Sequence, residues 1–247
     1  MAAGGFAGDS TFNAEAAGAM SSLMTLASAA IIIPAVYVAF DSRQNHELLD
    51  SVLILSRGTS IVLLVLYIVY LDFSLRTHAR LFEECKDGIE DAVSNHDKNK
   101  TDKKPVKLSP QVASLALIVV TALIAICSEF IVDTLDEIAQ HLNINKEFIG
   151  LIILPAVGNA AEYITAIGAA SKNNMNFAVN VAVGSSLQIS LMVTPFLVIF
   201  GWIMGQPMSL YFEPFYVIVF FLSVLVVGML VSDGASNHLE GAMLVGM

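Results

Sequence analysis

Charge is scarce in this chain. Of its 247 residues 14% are Asp, Glu, Lys or Arg and 56% are hydrophobic, with a mean hydropathy of +0.72. Soluble domains carry about 25% charged and about 45–50% apolar residues, so an ordinary soluble enzyme and a disordered chain are both excluded. Basic residues are scarcer than acidic ones, 12 against 22, and a formal net charge of −10 excludes a nucleic-acid binder. The two cysteines, Cys85 in a polar stretch and Cys127 in an apolar run, cannot build a disulfide framework. No basic residue precedes Arg43, so no cleavable signal peptide is expected. HExxH and GxSxG are both absent, and Gly184-Ser-Ser-Leu-Gln188 has no base nearby, which leaves little footing for an intramembrane hydrolase.

What is abundant is long apolar sequence. A span needs about 20 mostly apolar residues to cross a hydrocarbon core about 30 Å thick. Runs of that kind lie near 17–40, 52–71, 111–132, 148–170, 178–204 and 215–232. A seventh begins near Leu239 and stops at Met247. Helix rises about 1.5 Å per residue, so that last run is too short to cross and reads as a helix cut part-way. Residues 1–16 are polar and lead directly into a span. The fold class expected is all-α, a polytopic transmembrane helix bundle in a lipid bilayer.

Basic residues set the orientation. Eight of the 12 fall within 72–110: Arg76, Arg80, Lys86, Lys98, Lys100, Lys103, Lys104 and Lys107. The positive-inside rule makes this loop cytosolic. The connections 41–51 and 133–147 are mainly acidic and belong on the other side. Three regions follow: 1–76 with two spans, a cytosolic loop 77–110, and 111–247 with the remaining spans. The loop carries Glu83, Glu84, Asp87, Glu90 and Asp91 at near-helical spacing, which reads either as a solvated amphipathic helix or as a cation-sensing acidic helix. The sequon at Asn99 is attributed to chance, because a cytosolic loop is not glycosylated.

Polar residues inside the apolar runs carry the functional information. A charge at the bilayer centre costs about 2.5–3.5 kcal/mol on insertion scales. The fourth run contains Pro155, Gly158, Asn159 and Glu162. Pro155 lacks a backbone donor, and a broken helix with freed carbonyls beside a carboxylate is the form of a transporter ion site. Asn159 and Glu162 are three apart and are expected to share one helix face. Ser185 and Gln188, in the next run, are also three apart. Residues 171–176 join the two runs by a short turn, so all four side chains are expected at one depth. Their carboxylate, amide and hydroxyl oxygens are hard donors that suit Ca²⁺. Such Asn, Ser and Gln residues also serve simply to bond neighbouring helices, which is the expectation for Ser186 and Thr165. Glu129 and Asp133, one turn apart near the luminal end of the third run, are either an interfacial cap or a cation entry path. Asp233, Asn237 and Glu240 read as a cytosolic vestibule. Ser56-Arg57-Gly58-Thr59 reads as a helix cap with a snorkelling Arg, and Trp202 as an interface anchor. His78, His96, His141 and His238 lie in loops or near span ends and are not taken as ligands.

Gly158-Asn-Ala-Ala-Glu162 followed by Gly184-Ser-Ser-Leu-Gln188 resembles the second α-repeat of the cation/proton exchangers, a branch of the Ca²⁺/cation antiporter superfamily. Ser56-Arg-Gly-Thr-Ser60, Glu129-Phe-Ile-Val-Asp133, Phe148 to Pro155 and Asp233 to Gly241 also look like that family, and fungal vacuolar members most of all. The resemblance covers roughly residues 13–247. It implies an inverted-repeat fold of eleven spans, of which this chain would be the second half. Asn159, Glu162, Ser185 and Gln188 would then be the second half's metal ligands. Glu129, Asp133, Asp233 and Glu240 would line the pathway, and Glu83 to Asp91 would form the cytosolic acidic helix. Tyr163 stands where the family usually has His. Gly-Asn-Ala-x-Glu occurs once here, so a first repeat would have to be supplied as a partner. The implied function is not enzymatic: antiport of Ca²⁺, with Mn²⁺ as another candidate cargo, against H⁺ across a vacuolar membrane, with no resident cofactor. In that scheme one carboxylate serves twice, because Ca²⁺ favours ionised Glu162 and a proton neutralises it when the cation leaves. A Na⁺-coupled exchanger and a non-transporting membrane protein remain alternatives, and homo-oligomerisation is left open.

Overall fold

The structure is a computed structural model that describes residues 10–40, 45–79, 109–142, 144–145 and 148–246. Two-residue strand β1 (Ser10–Thr11) leads into helix α1 (Ala14–Phe40), then α2 (Asn45–Asp72), whose last turn widens to π-helix over Phe73–Thr77. Helix α3 spans Pro110–Leu142. A π turn at Ile149–Ile153 runs into α4 (Leu154–Gly158), and α5 follows at Ala160–Ser171. Helix α6 (Met175–Leu187) passes through a π segment, Gln188–Val193, into α7 (Thr194–Ile203). Helix α8 (Pro214–Val231), strand β2 (Ala235–Ser236) and helix α9 (His238–Gly246) complete the order. Five helices are long and apolar enough to cross a membrane: Ala14–Phe40, Leu48–Thr77, Gln111–Leu135, Met175–Ile203 and Pro214–Val231. The interrupted pair Ile149–Gly158 and Ala160–Ser171 counts as a sixth if taken as one span. All six expected spans are therefore present, and the protein is a multi-pass membrane bundle.

Two prolines explain two of the π turns. A proline removes one backbone donor and its ring crowds the carbonyl four residues earlier, and a single widened turn accommodates this. Ile149–Ile153 ends two residues before Pro155, and Gln188–Val193 two residues before Pro195. The chain finally leaves helical geometry at Asn159, with φ −97° and ψ 16°, where its N–H donates to Pro155 O at 3.0 Å. The break expected near Pro155 thus falls four residues later, at the Gly158-Asn159 step.

Two compact units can be distinguished, one formed by Met1–Val93 with Glu162–Met247 and the other by Ser94–Ala161. In the first, α1 lies against α8 so closely that a Cβ on Gly228 would stand 2.6 Å from Ser21 Oγ. Small residues permit this approach: Ala16, Ala17, Ala27 and Ser28 of α1 are buried. Helix packing in lipid relies on such close backbone contact, because apolar side chains gain little by leaving the lipid tails. One core cluster joins Met20, Ala27, Leu63, Leu187, Leu191, Val198 and Leu210. At one end of the unit β1 pairs antiparallel with β2, Ser10 opposite Ser236. In the second unit, the Gln111–Leu135 span has no buried residue.

Ser56 to Thr59 do not cap a helix. They lie well inside α2, and Ser56 is fully buried with its Oγ accepting from Leu210 N at 3.0 Å. The correction has a physical cause: α2 begins at Asn45, ahead of the apolar run, so the polar residues fall inside the helix and face protein rather than water.

Candidate functional site

Glu162 stands in the first turn of α5, at the end of the helix whose dipole favours an anion. The residue is half-buried, and its Oε2 is fully enclosed with no hydrogen-bond partner. A buried carboxylate oxygen left unpaired is costly, and a cation or a proton relieves that cost. The sequence expectation that Asn159 and Glu162 share a helix face needs correcting. Asn159 is the residue at which α4 ends, so the three-residue spacing spans a break and the rule for a continuous helix does not apply.

Within the first unit α5 and α6 diverge from their connecting turn. That turn is tight: Asn173 takes φ 61°, and Asn174 caps α6 by accepting from Phe177 N at 3.2 Å. Beyond it, Ala166, Ile167 and Ala170 of α5 face Ala178, Val179 and Ala182 of α6 across an apolar cavity of about 420 Å³. Glu162 lies about 13 Å along α5 from the turn and Ser185 about 15 Å along α6, at about 1.5 Å per residue. Gln188 is one turn further and opens the π segment. Ser185 donates to Ala182 O at 3.2 Å, and Gln188 is exposed. Among the described residues, no direct hydrogen bond joins Glu162 to either.

A family model described as sodium/calcium exchanger protein matches residues 112–247. The chain belongs to the sodium/calcium exchanger protein family. Its relatives place it on the cation/proton exchanger branch. It is 41% identical over 242 residues to a Ca²⁺/H⁺ antiporter of Aphanothece halophytica, covering 96% of this chain and 63% of that protein. It is 39% identical over 238 residues to the vacuolar calcium ion transporter of Schizosaccharomyces pombe, covering 96% of this chain and 55% of that protein. The solved structure of the selenium-substituted Ca²⁺/H⁺ antiporter YfkE superposes with a TM-score of 0.73 at 31% identity, covering 99% of this chain and 67% of that one. The chain thus spans somewhat more than half the length of the curated relatives it matches.

The other residues singled out in this exchanger-family chain fall as follows. Glu129 and Asp133 are both exposed on one turn of α3. Asp233 Oδ1 accepts from Ala235 N at 3.1 Å, shaping the turn into β2. Glu240 and Asn237 bond reciprocally: Asn237 N donates to Glu240 Oε2 at 3.3 Å, and Glu240 N donates to Asn237 Oδ1 at 3.0 Å. That is a capping box at the start of α9. Glu83, Glu84, Asp87, Glu90 and Asp91, like Cys85, lie outside the described residues. Trp202 has Arg57 stacked over its ring, 4.9 Å from the centroid.

Sequence reasoning missed an asparagine-rich tie. Ser10 Oγ donates to Asn173 Oδ1 at 3.0 Å, and Asn13 N donates to Asn176 Oδ1 at 2.6 Å, fastening the start of α1 to the α5–α6 turn. The run Asn173-Asn174-Met-Asn176 was the available signal, since three asparagines in one short turn exceed what the turn itself needs.

Proposed function

We propose that this chain forms one half of a proton-coupled Ca²⁺ exchanger of an acidic, vacuole-type compartment, with Glu162 as its ion-binding carboxylate. The observation that carries the reading is the enclosed, unpartnered Oε2 of Glu162 at a helix start inside the membrane. The names of the relatives, Ca²⁺/H⁺ antiporter and vacuolar calcium ion transporter, supply the cargo and the compartment. Asn159, Ser185 and Gln188 complete the ligand set from this chain. Glu129 and Asp133 form the approach from the luminal side, and Asp233 and Glu240 the approach from the cytosol.

Mechanistically, Ca²⁺ and H⁺ compete for one carboxylate. A cation arriving from the cytosol takes the ionised form. Protons from the acidic side displace it, and the neutral site returns. Hydroxyl and amide oxygens add neutral ligands that lower the cost of stripping water from the ion. Ca²⁺ takes 6–8 oxygens, more than these four residues provide, so the opposing wall is assigned to a second repeat. Coupling to H⁺ rather than Na⁺ is favoured by the relatives' names. The test is ⁴⁵Ca²⁺ uptake driven by an imposed pH gradient, in vesicles holding this chain with the N-terminal half of the fission-yeast relative. Glu162→Gln keeps the shape but removes the charge, and uptake should fall to the protein-free background with normal insertion. Undiminished uptake would sink the assignment of Glu162, and uptake driven equally by a Na⁺ gradient would sink the proton coupling.

A further inference from the structure

Arg57 is not used by the exchange scheme. Three Lys or Arg residues are described: Arg57, Arg76 and Lys172. Arg76 pairs with Asp72 at 3.5 Å in the last turn of α2, and Lys172 sits in the α5–α6 turn. Among the described residues Arg57 lies well inside a span, whereas Arg76 is at the very end of Leu48–Thr77. Its Nε is buried without a hydrogen-bond partner, and its guanidinium is held over the face of Trp202 at the end of α7. A charge inside a membrane span calls for a functional explanation, with its partner named. Here the partner among the described residues is an aromatic ring, which attracts a cation through its quadrupole and carries no counter-charge.

The segment after Trp202 folds back onto the same place. Gly205 takes φ +72°, and Gln206 N donates to Gly201 O at 2.8 Å. Met208 lies so close over α7 that a Cβ on Gly201 would stand 2.8 Å from Met208 Cβ. Leu210 is fully buried, and its N–H ends on Ser56 Oγ at 3.0 Å. Ser56 and Arg57 are consecutive: Arg57 stacks on Trp202 just before the return segment, and Ser56 accepts from Leu210 within it.

We infer that Arg57 is a positioning residue. With Ser56 it latches the 204–213 segment, and the end of α7 that leads into it, against the interior of α2 and leaves a fixed positive charge in that seam. The latch itself does not depend on the exchange reading.

Trp202 is the single tryptophan of the chain, so its fluorescence reports on the latch without a label. In the purified chain in nanodiscs, Arg57→Ala should red-shift Trp202 emission and raise its quenching by acrylamide. It should also speed deuterium exchange of the 204–213 backbone. Arg57→Lys keeps a cation and should restore most of the protection, which a purely space-filling role would not predict. Ser56→Ala should speed exchange at the Leu210 amide. If Arg57→Ala retains its helical circular dichroism while emission, quenching and exchange all match the native chain, the latch is refuted. Should Arg57→Ala fail to insert, Trp202→Leu removes the ring and leaves the charge. Faster exchange over 204–213 then supports the latch, and unchanged exchange overturns it. None of these readouts requires transport, so they can fail while the assignment of Glu162 stands.

Discussion

Glu162 and Ser56 show two different fates for a polar atom inside a span. Ser56 Oγ is buried and satisfied, bonded to the amide of Leu210. Glu162 Oε2 is buried and unsatisfied. The first is structural, because it removes the desolvation cost of a backbone donor in a connecting segment. The second carries an unrelieved desolvation cost, which on the proposed reading a bound cation or proton would relieve. Ser56→Ala should accordingly destabilise the protein by about 1–3 kcal/mol, the penalty for a buried donor left unpaired, without altering cation binding. A denaturant titration in mixed micelles measures the first effect, and Ca²⁺ binding measures the second. Native stability of the mutant would mean that Leu210 N–H finds another partner.

At the scale of elements, the end of the bundle carrying β1, the α5–α6 turn and β2 is fastened by short-range polar contacts. Phe12 N donates to Gly234 O at 2.8 Å, next to the β1–β2 pair. Gly234 takes φ +70°, and a Cβ there would lie 2.7 Å from Ala14 Cβ and 3.0 Å from Phe12 O. Both the left-handed backbone and the close approach require glycine. Gly234→Ala should therefore cost at least the about 1–2 kcal/mol of a left-handed non-glycine residue. It should also loosen the start of α1, seen as faster deuterium exchange over 10–16. Gly246→Ala, with open space around it, is the matched control and should change neither. Equal behaviour of the two variants would show that the β1–β2 clasp does not hold α1.

For the whole molecule, three segments expected on the cytosolic side, 10–13, 171–176 and 233–238, meet at one end of the first unit. The alternation of spans read from basic residues expects all three on one side of the membrane. The same reading places 77–110 in the cytosol. An impermeant thiol reagent should then modify Cys85 from the cytosolic side only, and modification from the lumen would invert the topology. Activity is also a property of the whole. The four ligands proposed here come from one repeat, and alternating access needs two repeats moving against each other. Two copies of this chain would insert with the same orientation, fixed by the basic loop, and so would not reproduce an inverted pair. The chain alone in liposomes should show no Ca²⁺ uptake above protein-free controls under a pH gradient, and co-expression with a first repeat should restore it. Robust uptake by the chain alone would refute the half-site reading.

The sequence by itself determined the membrane class, the six spans, the neighbourhood of the helix break and the presence of a carboxylate, Glu162, within the fourth run. Each rests on a local and strong effect: apolar length, the missing N–H of Pro155, and the cost of Glu162 in lipid. Tertiary structure decided the rest. The break falls at Asn159, because the π turn before Pro155 absorbs the proline's disturbance and passes the discontinuity onward. Ser56 is a buried acceptor rather than a cap, because its donor, Leu210, is far away in sequence. Arg57 faces the ring of Trp202 rather than water for the same reason. Periodicity and composition report what a residue does to its own helix. Which atom satisfies a buried polar group depends on chain segments that meet only in the folded bundle.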